Sequence, residues 1–165
     1  MRRSRRFELI VTVVVVILDQ ITKAMIRPSL ALHQSREVIP GFLDLTRVHN
    51  TGAAFGMLNS AEFPFKTVVL SIVAAIALGG VAWYAATVPL TDRLARLGIA
   101  GVLGGAIGNL LDRARSGYVL DFVDAYWGDW HFWAFNVADA AITIGVIFMI
   151  LDILGVGKRR ASNPV

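Results

Sequence analysis

The chain has 165 residues, of which 56% are hydrophobic and 17% are charged, and its mean hydropathy is +0.62. A soluble domain of this length carries fewer apolar and more charged residues, so the composition favours a polytopic membrane protein. The chain has no cysteine, which excludes disulfides, thiolate metal sites and a cysteine nucleophile. Its net charge of +4 comes from basic residues at the edges of apolar blocks, a distribution that argues against nucleic-acid binding.

Four apolar blocks predict four transmembrane helices. They cover about residues 7–26, 67–87, 94–111 and 134–154. Each block approaches the roughly 20 residues that span about 30 Å of hydrocarbon. The first block follows a basic N-terminus, as in a secretory signal, but a small-residue cleavage site does not follow it clearly. We therefore interpret it as a retained first helix.

The distribution of Lys and Arg predicts the orientation of these helices. The N-terminus and the segments 87–96 and 155–165 are denser in basic residues than the longer connections 27–66 and 112–133. The positive-inside rule then places both termini in the cytoplasm and both longer connections at the outer face of the membrane.

The two outer connections have the composition of folded segments. The stretches "EVIPGFLDLTRVHN" (37–50) and "GYVLDFVDAYW" (117–127) alternate apolar and polar residues after turn residues, which predicts a small sheet on the outer membrane surface. The stretch "NTGAAFGMLNSAEF" predicts a turn and a short interfacial helix with Phe55, Met57 and Leu58 in lipid.

Polar residues gather at the outer ends of the third and fourth blocks. Asn109, Asp112 and Arg113 share one helical face, and so do Asn136 and Asp139. An ionisable residue inside a membrane is costly and usually marks a function. Arg113 and Asp112 could also form a purely structural ion pair, and the glycines of the third block predict close packing between helices.

Asp121 precedes the fourth block, and the topology places it at a depth similar to that of Asp139. Two carboxylates that meet at a lipid boundary share one proton near neutral pH. One can then take a proton from water while the other polarises a carbonyl group, as in aspartic proteolysis. Asp124 and Asp129 are competing acids on the same connection, so the residues alone leave the pairing open.

Five motifs in this order resemble the bacterial lipoprotein signal peptidase family, also called signal peptidase II. They are "DQITK" (19–23), "NTGAAFG" (50–56), "GGAIGNLLDR" (104–113), "GYVLDF" (117–122) and "FNVADAAI" (135–142). The resemblance covers most of the chain, from the first apolar block to the fourth. There are small departures: Trp133 stands where many members have Pro, and Ala140 where many have Ser or Thr.

The resemblance implies a mainly α-helical membrane protein with one integral peptidase domain over residues 1–165. It implies an intramembrane aspartyl endopeptidase of the bacterial inner membrane, which cuts prolipoproteins just before the cysteine that carries diacylglycerol. The expected partners are lipid-modified prolipoproteins and membrane lipids, and we expect neither a metal nor another cofactor. The motifs assign the catalytic roles to Asp121 and Asp139. They place substrate-binding or supporting polar groups at Asn50, Asn109, Arg113 and Asn136, and structural polar groups at Asp19 and Lys23.

Other functions fit the sequence less well. A small proton-coupled transporter or channel is the main alternative, because acids inside helices can relay protons. The acids cluster at one surface, however, and trace no path across the bilayer. His33, His49 and His131 lack the spacing of a metalloprotease, and no motif supports a Ser–Lys protease.

Overall fold

A computed structural model describes residues 5–52, 57–58, 61 and 63–156. This part of the chain contains four long helices and four strands. In chain order they are α1 (Arg6–Ser29), β1 (Ser35–Ile39), β2 (Leu43–Asn50), α2 (Lys66–Thr87), α3 (Arg93–Ser116), β3 (Val119–Trp127), β4 (Trp130–His131) and α4 (Val137–Ile153).

Helix α3 lies at the centre of the helical bundle and packs against α1, α2 and α4. Its glycines permit this packing, because a side chain at their positions would meet a neighbouring backbone. A Cβ atom at Gly101 would lie 2.9 Å from the carbonyl oxygen of Ala141 in α4. One at Gly104 would lie 2.9 Å from the carbonyl oxygen of Thr12 in α1. The small residues predicted to bring helices together therefore do so on two faces of α3.

The four strands form one antiparallel sheet in the order β1-β2-β3-β4. Gly117 ends α3 in the left-handed conformation, with a φ of +78°, and the chain enters β3 directly afterwards. After β4 the chain returns along β3, where Phe135 exchanges two backbone hydrogen bonds with Val123. This return places the start of α4 beside the middle of β3.

The sheet is fixed to the helix ends by apolar and polar contacts. Ile26 and Leu30 at the end of α1 pack with Leu120 and Phe122 of β3. Arg47 of β2 donates from NH1 to two carbonyl oxygens at the end of α1, at 2.9 and 3.1 Å. These carbonyl groups have no partner within the helix, so Arg47 caps α1 with a residue of the sheet.

The opposite end of the bundle is closed by Arg96 of α3. Its buried guanidinium donates to the carbonyl oxygen of Ala85 in α2 at 2.9 Å and to the carboxylate of Glu8 in α1 at 3.0 Å. It also bonds the carbonyl oxygen of Val88. One arginine thus caps α2 and ties three helices together.

The structure confirms a mainly helical chain with a small antiparallel sheet. Helices α1, α2 and α3 are long and apolar enough to cross a membrane, whereas α4 has 17 residues. That all four helices span a membrane stays a prediction. The predicted interfacial helix falls largely on residues outside the described ranges, Phe55 among them, and the described pair Met57 and Leu58 lies in a turn.

Three helix boundaries differ by three residues or more from those predicted. Helix α1 continues from the predicted residue 26 to Ser29. Helix α3 continues from residue 111 to Ser116, because the basic side chains in its last turn suit the negative end of the helix dipole. Helix α4 begins at Val137 instead of residue 134, because the preceding residues pair with β3.

The packing of α3 against α4 predicts the effect of adding one methyl group. Gly105 faces the carbonyl oxygen of Ala138, and a Cβ atom there would clash with it. We expect Gly105→Ala to lower the free energy of unfolding by about 1–3 kcal/mol, the usual cost of overpacking. Gly80→Ala in α2 is the matched control, since nothing lies within 4 Å of its Cβ position. Equal shifts of Tm for the two variants in detergent would contradict this packing.

Candidate active site

Two acids from different elements lie at the junction between the sheet and the helices. Asp121 is the third residue of β3, and Asp139 is in the first turn of α4. Only 2% of the surface of Asp121 is exposed. The return of the chain along β3 brings Asp139 close enough for its charge to act on Asp121.

Asn136 contacts both acids. Its Nδ2 donates to Oδ1 of Asp121 at 2.7 Å, and its Oδ1 accepts from the backbone N–H of Asp139 at 2.9 Å. In return, Oδ2 of Asp139 accepts from the backbone N–H of Asn136 at 3.3 Å. These reciprocal bonds form a capping box, with Asp139 in the position that Glu or Gln usually takes. The contacts that begin α4 therefore also orient Asp139.

Two further amides hold the remaining carboxylate oxygens. Asn50, at the end of β2, donates to Oδ2 of Asp121 at 2.9 Å. Asn109 of α3 donates to Oδ1 of Asp139 at 2.8 Å. Each oxygen of the two carboxyl groups thus accepts a hydrogen bond from an N–H group. Amides carry no charge, so they fix both acids without neutralising them.

Burial and a neighbouring charge make Asp121 a weak acid. Desolvation raises the pKa of Asp121, and the negative charge of Asp139 raises it further, to about 7. The hydrogen bonds from Asn50 and Asn136 and the charge of Lys23 oppose this rise of the pKa. The two acids can therefore hold one proton near neutral pH, which is the state that general acid–base catalysis needs.

A buried ion network centred on Lys23 of α1 lies behind the acids. The side chains of Lys23, Asp19 and Asp112 are completely buried. The ammonium nitrogen lies 2.9 Å from Oδ2 of Asp19 and 3.0 Å from Oδ2 of Asp112. It also donates to Oδ1 of Asn109 at 3.0 Å. Arg27 pairs with the second oxygen of Asp112 at 3.0 Å, so two cations balance two carboxylates.

Arg113 contacts the backbone next to the acids. Its NH2 donates to the carbonyl oxygen of Gly52 at 2.7 Å, and the N–H of Gly52 donates to Oδ1 of Asn50 at 2.9 Å. A mostly apolar groove of about 500 Å³ lies between α2 and α3 and is lined in part by Arg113. The guanidinium thus lies between the groove and the segment that carries Asn50.

The structure brings the residues assigned from the motifs into two connected layers. The first layer comprises the two acids with the amides that bond them, Asn50, Asn109 and Asn136. The second comprises Asp19 and Lys23, which pair with each other. Asp19 also accepts from the backbone N–H of Ala138 in α4.

Asp112 has a different role from the one its position suggested. The sequence offered Arg113 as its partner, but Asp112 pairs with Lys23 and Arg27 of α1. Arg27 was missed altogether, because nothing in the sequence around it indicates which distant carboxylate it meets. The spacing of three residues between Asn109 and Asp112 was the available signal, since it places both on the face that receives Lys23.

The competing acid Asp124 lies apart from the site. Asp124 lies three residues further along β3, opposite Asp44 of β2, and is less deeply buried than Asp121. Asp124 pairs with His131 of β4 at 2.9 Å. The two acids that the sequence left in competition therefore have different partners, since Asp121 bonds Asn50 and Asn136.

The fold and the site together define a helical membrane protein with a centre built from two carboxyl groups. A protein-family model described as signal peptidase (SPase) II matches residues 11–155. The chain belongs to the signal peptidase II family and is a peptidase.

Individual relatives match along nearly their whole length. The chain is 40% identical over 154 residues to the lipoprotein signal peptidase of Symbiobacterium thermophilum, covering 93% of this chain and 98% of that one. It is 45% identical over 143 residues to that of Maridesulfovibrio salexigens, covering 87% and 92%. A solved structure of a bacterial membrane enzyme, determined by the in meso method, has 32% identity and a TM-score of 0.78, covering 96% and 94%. The alternative of a transporter or channel is not supported by these matches.

The raised pKa of Asp121 predicts how stability changes with pH. Because its folded-state pKa is about 7 and its ordinary value is 3.8, its protonation favours the fold. That contribution is complete below the ordinary pKa and is lost as the pH rises through about 7. Asparagine stays neutral, so the Tm of Asp121→Asn relative to the unsubstituted protein should increase between about pH 5.5 and pH 8.5.

Thermal unfolding in detergent at the two pH values measures this difference. Asp129→Asn in the exposed turn between β3 and β4 is the control for removing one acidic side chain. A Tm difference for Asp121→Asn that is independent of pH, as for the control, would show that Asp121 ionises without cost in the folded protein.

Proposed function

We propose that the chain is an aspartic endopeptidase that removes the signal peptide from prolipoproteins, cutting just before the lipid-modified cysteine. The family makes the chain a peptidase, and its relatives are named lipoprotein signal peptidases. The observation that carries the aspartic assignment is the bonding of Asp121 and Asp139 to the same side chain, Asn136, in a buried site.

The surroundings of the two acids favour a different catalytic role for each. Asp139 lies at the N-terminus of α4, where the helix dipole favours negative charge, and its two oxygens accept from Asn136 and Asn109. Asp121, whose pKa is raised to about 7, holds the proton. Asp139 then serves as the general base and Asp121 as the general acid.

The reaction follows from this starting state. Asp139 takes a proton from water while the water oxygen attacks the carbonyl carbon of the scissile amide. Asp121 gives its proton to the carbonyl oxygen as negative charge develops there. When the carbon–nitrogen bond breaks, the leaving nitrogen takes the proton from Asp139, and Asp121 regains one from a hydroxyl of the intermediate. Both acids return to their first state, so the cycle consumes only water and the peptide bond.

The remaining polar residues bind the substrate or support the acids. Peptide groups that enter a poorly hydrated groove need hydrogen-bond partners. We assign this role to Arg113, which has five N–H donors, and to Asn50 beside it. Asn109 and Asn136 orient the acids, as their bonds to the two carboxyl groups suggest.

The proposed setting is the inner membrane of a bacterium. Helices α1–α3 have the length and hydropathy of membrane spans, and the 17 residues of α4 rise about 25 Å, close to the thickness of the hydrocarbon layer. With both termini in the cytoplasm, the sheet and the acids lie near the outer face. The whole chain, 1–165, then forms one integral domain whose neighbours include membrane lipids and the acyl chains of the substrate.

Cleavage of a lipid-modified precursor in detergent tests the catalytic pair. We expect Asp121→Asn and Asp139→Asn each to lower kcat by at least about 100-fold, since each removes a group that transfers a proton. Asp124→Asn is the matched control on the same strand, because its carboxylate pairs with His131 of β4 and not with the amides around the two acids, and it should keep most of the activity.

Measurements of Tm for all three variants separate lost chemistry from lost folding. Near-normal processing by a folded Asp121→Asn or Asp139→Asn variant would refute the aspartic assignment. Loss of activity in Asp124→Asn alone would move the catalytic role to Asp124.

A further inference from the structure

We propose that Lys23 is a positioning residue for the reaction, because its ammonium group fixes the orientation of the Asn109 amide. In that orientation Asn109 presents an N–H donor to Asp139. The inference rests on the proposed aspartic mechanism and adds a group that does not itself touch the substrate.

The ammonium group can only donate hydrogen bonds, and it has three donors. In the structure these meet three acceptors, which are Oδ2 of Asp19, Oδ2 of Asp112 and Oδ1 of Asn109. Lys23 is completely buried, so bulk water does not compete for its donors. Asn109 must therefore turn its oxygen toward Lys23.

The other end of the Asn109 amide is fixed as a consequence. Its Oδ1 accepts from Lys23 at 3.0 Å and from Nδ2 of Asn136 at 3.2 Å, while its Nδ2 donates to Oδ1 of Asp139 at 2.8 Å. Rotating the amide by half a turn would set its NH₂ group against two donors and its oxygen against a carboxylate. Lys23 thus acts on the general base through one intervening side chain.

The structural role of Lys23 can be separated from this positioning role. Lys23→Met alone would leave the carboxylates of Asp19 and Asp112 facing only Arg27, and such an unbalanced buried charge is strongly destabilising. The double variant Lys23→Met with Asp19→Asn restores the balance, because Asp112 then faces Arg27. Asparagine also retains an oxygen that can accept from the backbone N–H of Ala138, the second bond of Asp19.

The test compares this double variant with Asp19→Asn alone, which keeps the bond between Lys23 and Asn109. We expect kcat for a lipid-modified precursor to fall by roughly tenfold or more in the double variant relative to the single one, as for the loss of a hydrogen bond to a charged group. KM should stay within about twofold, since ground-state binding of the substrate is not affected. Equal kcat values in two folded variants would overturn the proposal.

Lys23 also acts on the acids through its charge, and a second comparison separates that effect. The same pair of variants is made with Asn109→Ala, which removes the side chain that transmits orientation but leaves the charge. In this background Lys23→Met should lower kcat by a clearly smaller factor than before, because only the effect of its charge is left. A decrease by the same factor as before would overturn the proposal, because Lys23 would then act by charge or by folding alone. Failure of the aspartic mechanism itself is visible separately, as processing that survives Asp139→Asn.

Discussion

The buried ammonium group of Lys23 is the interaction on which the arrangement of the site depends. The two carboxylates that balance it each accept one backbone N–H as well. Asp19 accepts from Ala138 at 3.1 Å, and Asp112 accepts from Leu120 at 3.1 Å. Ala138 and Leu120 are the residues directly before the two proposed catalytic acids. One cation in α1 thus holds two carboxylates, and these bind the backbone of α4 and of β3 directly before the proposed catalytic acids.

Such a network favours one arrangement of the helices, because any change that separates its charges costs free energy. Removing one partner of a buried ion pair costs about 3–5 kcal/mol, since the other charge stays desolvated. It also needs space between the helices. A Cβ atom at Gly108 would lie 2.6 Å from Oδ2 of Asp19, so the carboxylate fits against α3 only where α3 has no side chain. The small residues of α3 and the charges of α1 are therefore parts of one arrangement.

The sequence predicted those features that depend on local pattern. Hydropathy located the helices, alternation located the strands, and the motifs named Asp121 and Asp139 together with the amides around them. Features that depend on contacts between distant segments could not be predicted from the sequence. The partner of Asp112 is one, because Arg113 is adjacent in sequence while Lys23 reaches it from another helix. The start of α4 is another, since hydropathy does not reveal that the preceding residues pair with β3.

The polar contacts around the acids are unevenly distributed, and this defines the open side of the site. Helices α1, α3 and α4 and strand β3 are joined by the ion network, whereas α2 meets α3 through Arg96 and through apolar residues such as Ala85 and Ile99, at the end far from the sheet. At the end of α2 near the sheet, the hydroxyl of Thr67 donates to the carbonyl oxygen of Gly117 at 2.9 Å. The groove between α2 and α3 is lined by Thr67 and reaches Arg113. A lipid-modified peptide that approached from this side would keep its acyl chains among apolar side chains while its backbone reached the acids. The buried ion network and the groove beside α2 thus meet two separate requirements of the proposed reaction, which are fixed catalytic groups and access for a bulky substrate.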